Sequence, residues 1–183
     1  MRKAWILMLV VCCTACSGAG NADDEDAAVY EALLQDECCI DRAILQVLTD
    51  TAKLSPSSHR RSYEDDTRGL SEDIRAAVHD LYERSAIMRP LPDSLLVSGY
   101  DSRISPDSAR RLIARTNSGD LRRLPDGGTL VMISAVGYNP AKDVAVVRMV
   151  QLCGFLCGGV RVRALRRHPA GWLPAEDVWT AVF

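Results

Sequence analysis

The sequence predicts an α+β fold, in which an antiparallel sheet of about five strands carries two or three helices. Three observations support this prediction. Residues 129–162 contain β-branched and other apolar runs separated by turn residues, which is typical of consecutive strands. Residues 74–82 place apolar side chains at helical spacing. Ser105, Pro106 and Asp107 are typical of a helix start, because proline is well tolerated in the first turn.

The N-terminal half contains the elements expected to complete this fold. Ala27–Gln35 predicts a short helix, Arg42–Thr49 predicts a strand that is paired on both sides, and Leu95–Val97 predicts a further short strand. Ser71 is a suitable N-cap for the next helix, whereas the polar segment Ser55–Gly69 predicts a long loop. The apolar stripe of the helix that follows Ser71 consists of Ile74, Ala77, Val78, Leu81 and Tyr82.

The C-terminal third predicts a four-stranded antiparallel meander. Thr129–Gly137 and Val144–Leu152 are expected to pair as a hairpin, because Asn139 and Pro140 between them are turn residues. A last strand is expected over residues 172–183.

The third strand of the meander has alternating side chains. Val160, Val162 and Ala164 alternate with Arg161, Arg163 and Leu165. Such alternation predicts a half-buried strand with one mostly basic face in water. The basic patch of this region consists of Arg161, Arg163, Arg166 and Arg167. We interpret the patch as solvent-facing, with contact to an acidic envelope protein or to anionic headgroups as the functional alternative.

The first sixteen residues resemble an export signal. Arg2 and Lys3 precede the apolar run Ala4–Val11, which is the order of a secretory signal peptide. The run is shorter than the about 20 apolar residues that span a bilayer. Thr14-Ala15-Cys16 then resembles the bacterial lipoprotein signal, in which two small residues precede the cysteine that is acylated, although Cys13 stands where leucine is usual. The alternatives are plain secretion after cleavage near residue 15 or 19, and an uncleaved anchor.

The signal divides the chain into a signal peptide (1–15), a lipid-anchored acidic tether (16–27) and one globular domain (28–183). Two or more acyl chains on Cys16 would hold the protein stably on a bilayer, since each buried CH₂ contributes about 0.8 kcal/mol. Ser17 after the cysteine, rather than Asp, resembles the sorting pattern of outer-membrane lipoproteins. The resemblance implies the outer membrane facing the periplasm, with secretion to the periplasm as the alternative. We interpret Asp23–Asp26 as a solvated tether rather than a metal site, because adjacent carboxylates need a specific loop to converge on one ion.

The remaining cysteines are Cys38, Cys39, Cys153 and Cys157. An even number of cysteines in an oxidising compartment predicts a structural disulfide. We favour Cys153–Cys157, because the flanking glycines let the loop curl back. Cys38 and Cys39 would then form a second disulfide or stay reduced. There are three alternatives. The first is a cross-link from Cys38 or Cys39 to Cys153 or Cys157. The others are a zinc site and a redox pair, for which the spacing of the cysteines is unsuitable.

Other chemistry is sparse in this sequence. The formal net charge is −2, which argues against nonspecific nucleic-acid binding. His59, His79 and His168 have no paired spacing that is typical of metal or catalytic motifs. We therefore expect no cofactor, no metal and no catalytic residue.

A C-terminal pattern resembles a known family. Ser134 and Val136-Gly137-Tyr138-Asn139 are followed by an apolar strand, by Cys153-Gly154-Phe155-Leu156-Cys157-Gly158-Gly159 and by Gly171-Trp172. This order resembles a family of uncharacterised bacterial secreted and lipid-anchored proteins with the pattern S-x-V-G-F-N, C-G-x-L-C-G-G and G-x-W. The resemblance implies the envelope location, the Cys153–Cys157 pair and the sheet, and it implies no activity.

Two functional classes follow. The first is a lipid-anchored envelope protein that acts as a non-enzymatic binding or structural module. The second is a periplasmic thiol-disulfide or small hydrolytic enzyme, which would need an accessible Cys153 or Cys38 beside a histidine or a helix N-terminus.

Overall fold

The computed structural model describes residues 22–36, 43–46, 67–92, 95, 100–117, 124, 128–154 and 157–182. The helices are α1 (Ala22–Asp36), α2 (Glu72–Arg84) and α3 (Pro106–Asn117). The strands are β1 (Ala43–Gln46), β2 (Tyr100–Ile104), β3 (Thr129–Ile133), β4 (Gly137–Tyr138), β5 (Val144–Gly154), β6 (Cys157–His168) and β7 (Gly171–Val182).

The strands form one sheet in the order β2-β1-β3-β5-β6-β7, and β4 also pairs with β5. Strands β3 to β7 are antiparallel, which confirms the predicted α+β fold and its C-terminal meander. Strand β1 pairs in parallel with β2 on one side and with β3 on the other. The prediction of a strand paired on both sides is thus confirmed over Ala43–Gln46.

Helices cover both faces of the sheet. Val29, Tyr30 and Leu33 of α1 pack against Val147 and Leu165 on one face. Because neighbouring side chains of a strand point to opposite faces, the alternate residues of β5 face the other way. That second face carries α2, whose buried residues contact Val144 and Val146, and α3, which packs near Val150. Strand β5 is therefore buried on both sides, which explains its nearly continuous apolar sequence.

Helix α2 begins as the sequence predicts. The Ser71 side chain accepts a hydrogen bond from the Ile74 N–H at 3.5 Å, and the predicted stripe faces inward. Gly137 of β4 lies directly against this helix, because a Cβ atom at Gly137 would be 2.2 Å from the Ala77 carbonyl oxygen and 2.3 Å from the Leu81 nitrogen. The contact needs glycine for its lack of a side chain.

The N-terminal boundary of the domain differs from the expectation. Helix α1 begins at Ala22, so Asp23–Asp26 belongs to a helix and the interpretation of this run as a solvated tether is wrong. Acidic residues near a helix N-terminus are favourable because of the helix dipole, and two of them have basic partners in the domain, as described below. Residues 1–21, Cys38 and Cys39 lie outside the described residues.

Two smaller expectations concern residues that are only partly described. Leu95 is buried but does not belong to a strand, and the other residues of the predicted strand at 95–97 lie outside the described part of the chain. The loop predicted at 55–69 is described only from Thr67 onward. No described helix is both long and apolar enough to span a membrane.

Candidate functional site

A nearly buried ion pair joins the start of α1 to the end of α2. The Arg84 guanidinium donates to Asp26 through Nη2 to Oδ2 at 2.9 Å and through Nη1 to Oδ1 at 3.4 Å. Only 14% of the Asp26 side chain and 19% of the Arg84 side chain are exposed. Arg84 Nη1 also donates to the Val136 carbonyl oxygen at 2.6 Å. This pair therefore fixes α1 against both α2 and the connection between β3 and β4.

Tyr138 connects the same carboxylate to the sheet. Its hydroxyl donates to Asp26 Oδ1 at 2.9 Å, and its backbone N–H donates to Asp80 Oδ2 at 2.8 Å. The Arg84 guanidinium lies over its ring at 5.4 Å, within cation–π range. The ring of Trp172 lies 5.9 Å from that of Tyr138. Tyr138 thus binds residues from α1, α2 and the end of the β6–β7 hairpin.

Burial controls the protonation of these groups. Burial raises the pKa of Asp26 above its ordinary value, although the Arg84 charge and the Tyr138 hydroxyl act to lower that pKa. Burial and the nearby Asp26 charge raise the pKa of Tyr30 and the pKa of Tyr138 above the ordinary tyrosine value. Both phenols are therefore neutral hydrogen-bond donors. The Tyr30 hydroxyl donates to the Ser134 carbonyl oxygen at 3.0 Å.

A second ion pair, between Glu25 and Arg167, holds the start of α1 to the end of β6. The Arg167 guanidinium also lies 5.1 Å from the ring centre of Trp172. Its backbone N–H donates to the Asp143 carbonyl oxygen at 2.8 Å. The beginning of α1, the end of α2 and the β4–β5 and β6–β7 turns consequently lie at one end of the molecule.

A cavity of about 660 Å³ opens at this end, within the size range of small-molecule sites. Acidic, basic and aromatic side chains line it together. Its charged and polar lining includes Asp26, Asp80, Arg84, Tyr138, Asn139 and Lys142. Glu25 also lines the cavity and pairs with Arg167. Since Asp26 and Arg84 neutralise each other, Asp80 and Lys142 are the carboxylate and the ammonium that remain for a ligand.

The turn that presents Lys142 is rigid. The Asn139 side-chain oxygen accepts the N–H groups of Asp143 at 3.1 Å and of Val144 at 3.0 Å, and its amide donates to the Asp143 carboxylate at 2.7 Å. The Lys142 N–H donates to the Asn139 carbonyl oxygen at 3.0 Å. Lys142 has a φ of 55°, in the left-handed region that non-glycine residues seldom occupy.

The opposite end of β5 carries the disulfide. Cys153 and Cys157 are bonded, with their Cα atoms 5.2 Å apart. The favoured pairing is thereby found among the described cysteines, whereas the prediction for Cys38 and Cys39 falls on residues that are not described. Cys157 is exposed and Cys153 is half-buried.

The basic patch differs from its expected solvent-facing form. Arg163 is only 18% exposed and pairs with Asp36 at 2.5 Å and with Asp177 at 3.4 Å. Arg161 lies 3.9 Å from Asp177, and Arg167 pairs with Glu25 as described. The expectation of a wet face is wrong around Arg163, because α1 covers this face of the sheet. Arg166 lies on the opposite face and is exposed.

Sequence reasoning identified Tyr138 and Asn139 as part of a motif but did not identify the cavity. In the sequence, Asp26 is one of four consecutive acidic residues and is not distinguished from its neighbours. Asp80 and Arg84 lie on the polar side of an amphipathic helix, where charged residues are usual. Within the described residues, no group of three or more histidine, cysteine, aspartate or glutamate side chains could hold a metal ion. Comparisons with protein-family models, curated protein sequences and solved structures find no match to this chain.

Proposed function

We propose that this protein is a lipid-anchored module of the bacterial envelope that binds its target without catalysis. The anchor is an acylated Cys16, and the predicted location is the outer membrane facing the periplasm. The observation that carries the proposal is the short stretch of sequence between Cys16 and a helix that is bound to the domain by ion pairs. Five residues separate Cys16 from Ala22, the first residue of α1. An extended chain of that length reaches about 20 Å.

The fixed α1 supports a defined orientation on the membrane. Asp26 and Glu25 bind Arg84 and Arg167 near the start of the helix. An anchor that enters through such a helix places this end of the domain, with its cavity, towards the bilayer. A long mobile tether would impose no such orientation.

The chemistry of the site supports binding rather than catalysis. The Asp26 carboxylate is neutralised by Arg84, and the phenols of Tyr30 and Tyr138 donate to fixed oxygen acceptors. These groups hold the walls of the cavity in place. Asp80 and Lys142 are left to recognise a ligand by charge. An envelope protein that contacts the exposed Arg166 is a further partner consistent with this role.

A thiol-disulfide or small hydrolytic enzyme is the second candidate, because Cys157 is exposed within its disulfide. Alkylation of the native protein, before and after mild reduction, separates the two classes. A thiol-disulfide enzyme predicts rapid, selective release of one reactive thiol at low reductant concentration. A structural disulfide predicts that the pair is modified only with strong reductant.

Intact mass of the membrane-extracted protein tests the anchor. We expect the mass of residues 16–183 plus acyl chains, and we expect the Cys16→Ser variant to lack the acyl mass. An extracted protein that retains residues 1–15, or that carries an unmodified cysteine at its mature terminus, would overturn the proposal.

A further inference from the structure

We propose that the cavity beside α1 binds the phosphoethanolamine headgroup of a zwitterionic phospholipid, with Asp80 receiving the ammonium and Lys142 the phosphate. The same group could be supplied by a bilayer lipid or by a soluble phosphoethanolamine compound. The assignment to a bilayer lipid rests on the proposed function, whereas the recognition of the headgroup itself rests on the cavity alone.

The cavity presents one negative and one positive charge that are not paired with each other. Asp80 lies on α2 and Lys142 lies on the β4–β5 turn, so they approach the cavity from two different elements. Among the described residues, neither side chain takes part in an ion pair. The other acidic residues of the lining are paired, Asp26 with Arg84 and Glu25 with Arg167. A ligand with both charges would satisfy both residues.

The Asp80 side chain and the Lys142 backbone are each held in position. Asp80 Oδ2 accepts the Tyr138 N–H at 2.8 Å, which fixes the carboxylate and leaves its second oxygen for a ligand. Lys142 sits in a turn that is closed by the Asn139 hydrogen bonds, with a φ of 55°. Backbone strain of this kind is found preferentially at functional positions, where the geometry of one side chain must be kept.

The position of the cavity favours a bilayer lipid as the source. Glu25 and Asp26 line the cavity and lie within the first residues of α1, at the end that the anchor would bring to the membrane. Ile87 and Met88, shortly after Arg84, have 65% and 45% of their surface exposed. Apolar side chains at such a position can enter the acyl boundary of a bilayer while the headgroup occupies the cavity.

The chemistry distinguishes ethanolamine from other headgroups. A primary ammonium donates hydrogen bonds to a carboxylate, which the quaternary ammonium of choline cannot do. Glycerol headgroups carry the phosphate but no cation, so they would leave Asp80 unpaired and close to a phosphate. Charge-assisted hydrogen bonds contribute about 1.5–3 kcal/mol each, which corresponds to roughly a tenfold or greater difference in affinity.

Vesicle binding of the unacylated chain tests the inference. The chain from residue 16 with Cys16→Ser contains every described element and needs no lipid modification. It is sedimented with vesicles of phosphatidylcholine alone, or of phosphatidylcholine mixed with phosphatidylethanolamine or with phosphatidylglycerol. We expect at least about tenfold tighter binding when phosphatidylethanolamine is present, and we expect soluble glycerophosphoethanolamine to compete.

Two substitutions assign the binding to the cavity. Asp80→Asn keeps an oxygen acceptor for the Tyr138 N–H but removes the charge, and Lys142→Gln removes the ammonium without changing the turn to glycine. Each should abolish most of the phosphatidylethanolamine preference. Arg110→Gln removes an exposed positive charge on α3, outside the residues that line the cavity, and should leave the preference unchanged.

Several results would overturn the inference. These are equal binding to all three vesicle types, stronger binding to phosphatidylglycerol, or a preference that survives both cavity substitutions. Competition by glycine as strong as that by glycerophosphoethanolamine would show that the phosphate is not recognised. If the protein binds soluble glycerophosphoethanolamine but does not bind the vesicles, the assignment of the headgroup to a bilayer lipid is overturned. Absence of acyl mass on Cys16 bears on the proposed function alone, because the vesicle assay does not use the acyl chains.

Discussion

Asp26 and Arg84 are 58 residues apart in the chain and form a two-point ion pair that is nearly excluded from water. The pair lies where α1 meets α2, and Tyr138 adds a third element to it. Together with the Glu25–Arg167 ion pair and the apolar packing of the helix, this pair holds the N-terminal helix to the remainder of the domain. Four predictions follow from this arrangement and from the turn beside it.

Arg84→Ala should lower the free energy of unfolding by about 3 kcal/mol, because it leaves the Asp26 carboxylate buried without its cation. The substitution also removes the donor to the Val136 carbonyl. Chemical denaturation monitored by circular dichroism measures the loss. Arg110→Ala is the matched control, since the Arg110–Asp107 pair is 71% exposed on both sides and should contribute at most about 0.5 kcal/mol. Equal losses for the two variants would contradict a structural role for the buried pair.

Asp26 should make stability depend on pH in an unusual direction. Its pKa is raised above the ordinary value of 3.8 by burial, so the folded protein takes up a proton at a higher pH than the unfolded chain. The contribution of Asp26 to stability therefore increases as the pH falls from above the raised pKa towards 3.8. Most paired carboxylates behave in the opposite way.

The Asp26→Asn variant isolates this effect, because asparagine has the same shape and does not titrate. The difference in unfolding free energy, wild type minus variant, should grow as the pH is lowered through that window. Denaturation curves at several pH values between about 4 and 7 measure it. A difference that shrinks on acidification would mean that the Arg84 charge outweighs the burial of the carboxylate.

Gly137→Ala should be strongly destabilising, because the added Cβ would lie 2.2 Å from the Ala77 carbonyl oxygen. Helix α2 would have to move away from the sheet, and overpacking of this kind costs about 1–3 kcal/mol or more. Gly171→Ala is the control, since no atom lies within 4 Å of its Cβ position and only its φ of 124° is unfavourable. The midpoint of thermal unfolding should be well below that of Gly171→Ala for the Gly137→Ala variant. The reverse order would contradict the close approach of Gly137 to α2.

Lys142→Gly should be more stable than Lys142→Ala by about 1 kcal/mol, because glycine adopts the left-handed conformation without strain. Both variants lack the ammonium, so both should lose the headgroup preference. The two variants therefore differ in stability but not in binding, which separates the effect of the backbone conformation from the effect of the ammonium. Equal stability of the two variants, measured by denaturation, would mean that the turn carries no strain.

The C-terminal meander and the three helices could be predicted because their signals are local, although α1 begins earlier than expected. Strand β5 is buried on both faces and is therefore apolar throughout, and α2 has both a capping serine and a helical stripe. Strand β2 was not predicted, since its sequence Tyr-Asp-Ser-Arg-Ile contains three polar residues between its apolar ends. Its pairing with β1 depends on residues far away in the chain.

The candidate site could not be predicted for a related reason. Asp26 in α1, Arg84 in α2 and Tyr138 in β4 are ordinary residues of their own segments. They form a site only because the fold brings the three elements into contact. The hydrophobic periodicity of a sequence predicts each element but not the contacts between elements. The pairing of Arg163 with Asp36 was likewise unpredictable, because alternation within β6 does not reveal that α1 covers the strand.

The docking of α1 also constrains the order in which the protein can fold. Tyr30 hydrogen-bonds to Ser134 and Asp26 to Tyr138, at separations of 104 and 112 residues. Synthesis proceeds from the N-terminus, so this helix leaves the ribosome long before its binding surface exists. Until then the apolar side chains of Val29 and Leu33 lack their native cover. The helix can therefore dock only after Leu165 and Trp172, which belong to its core cluster, have been made.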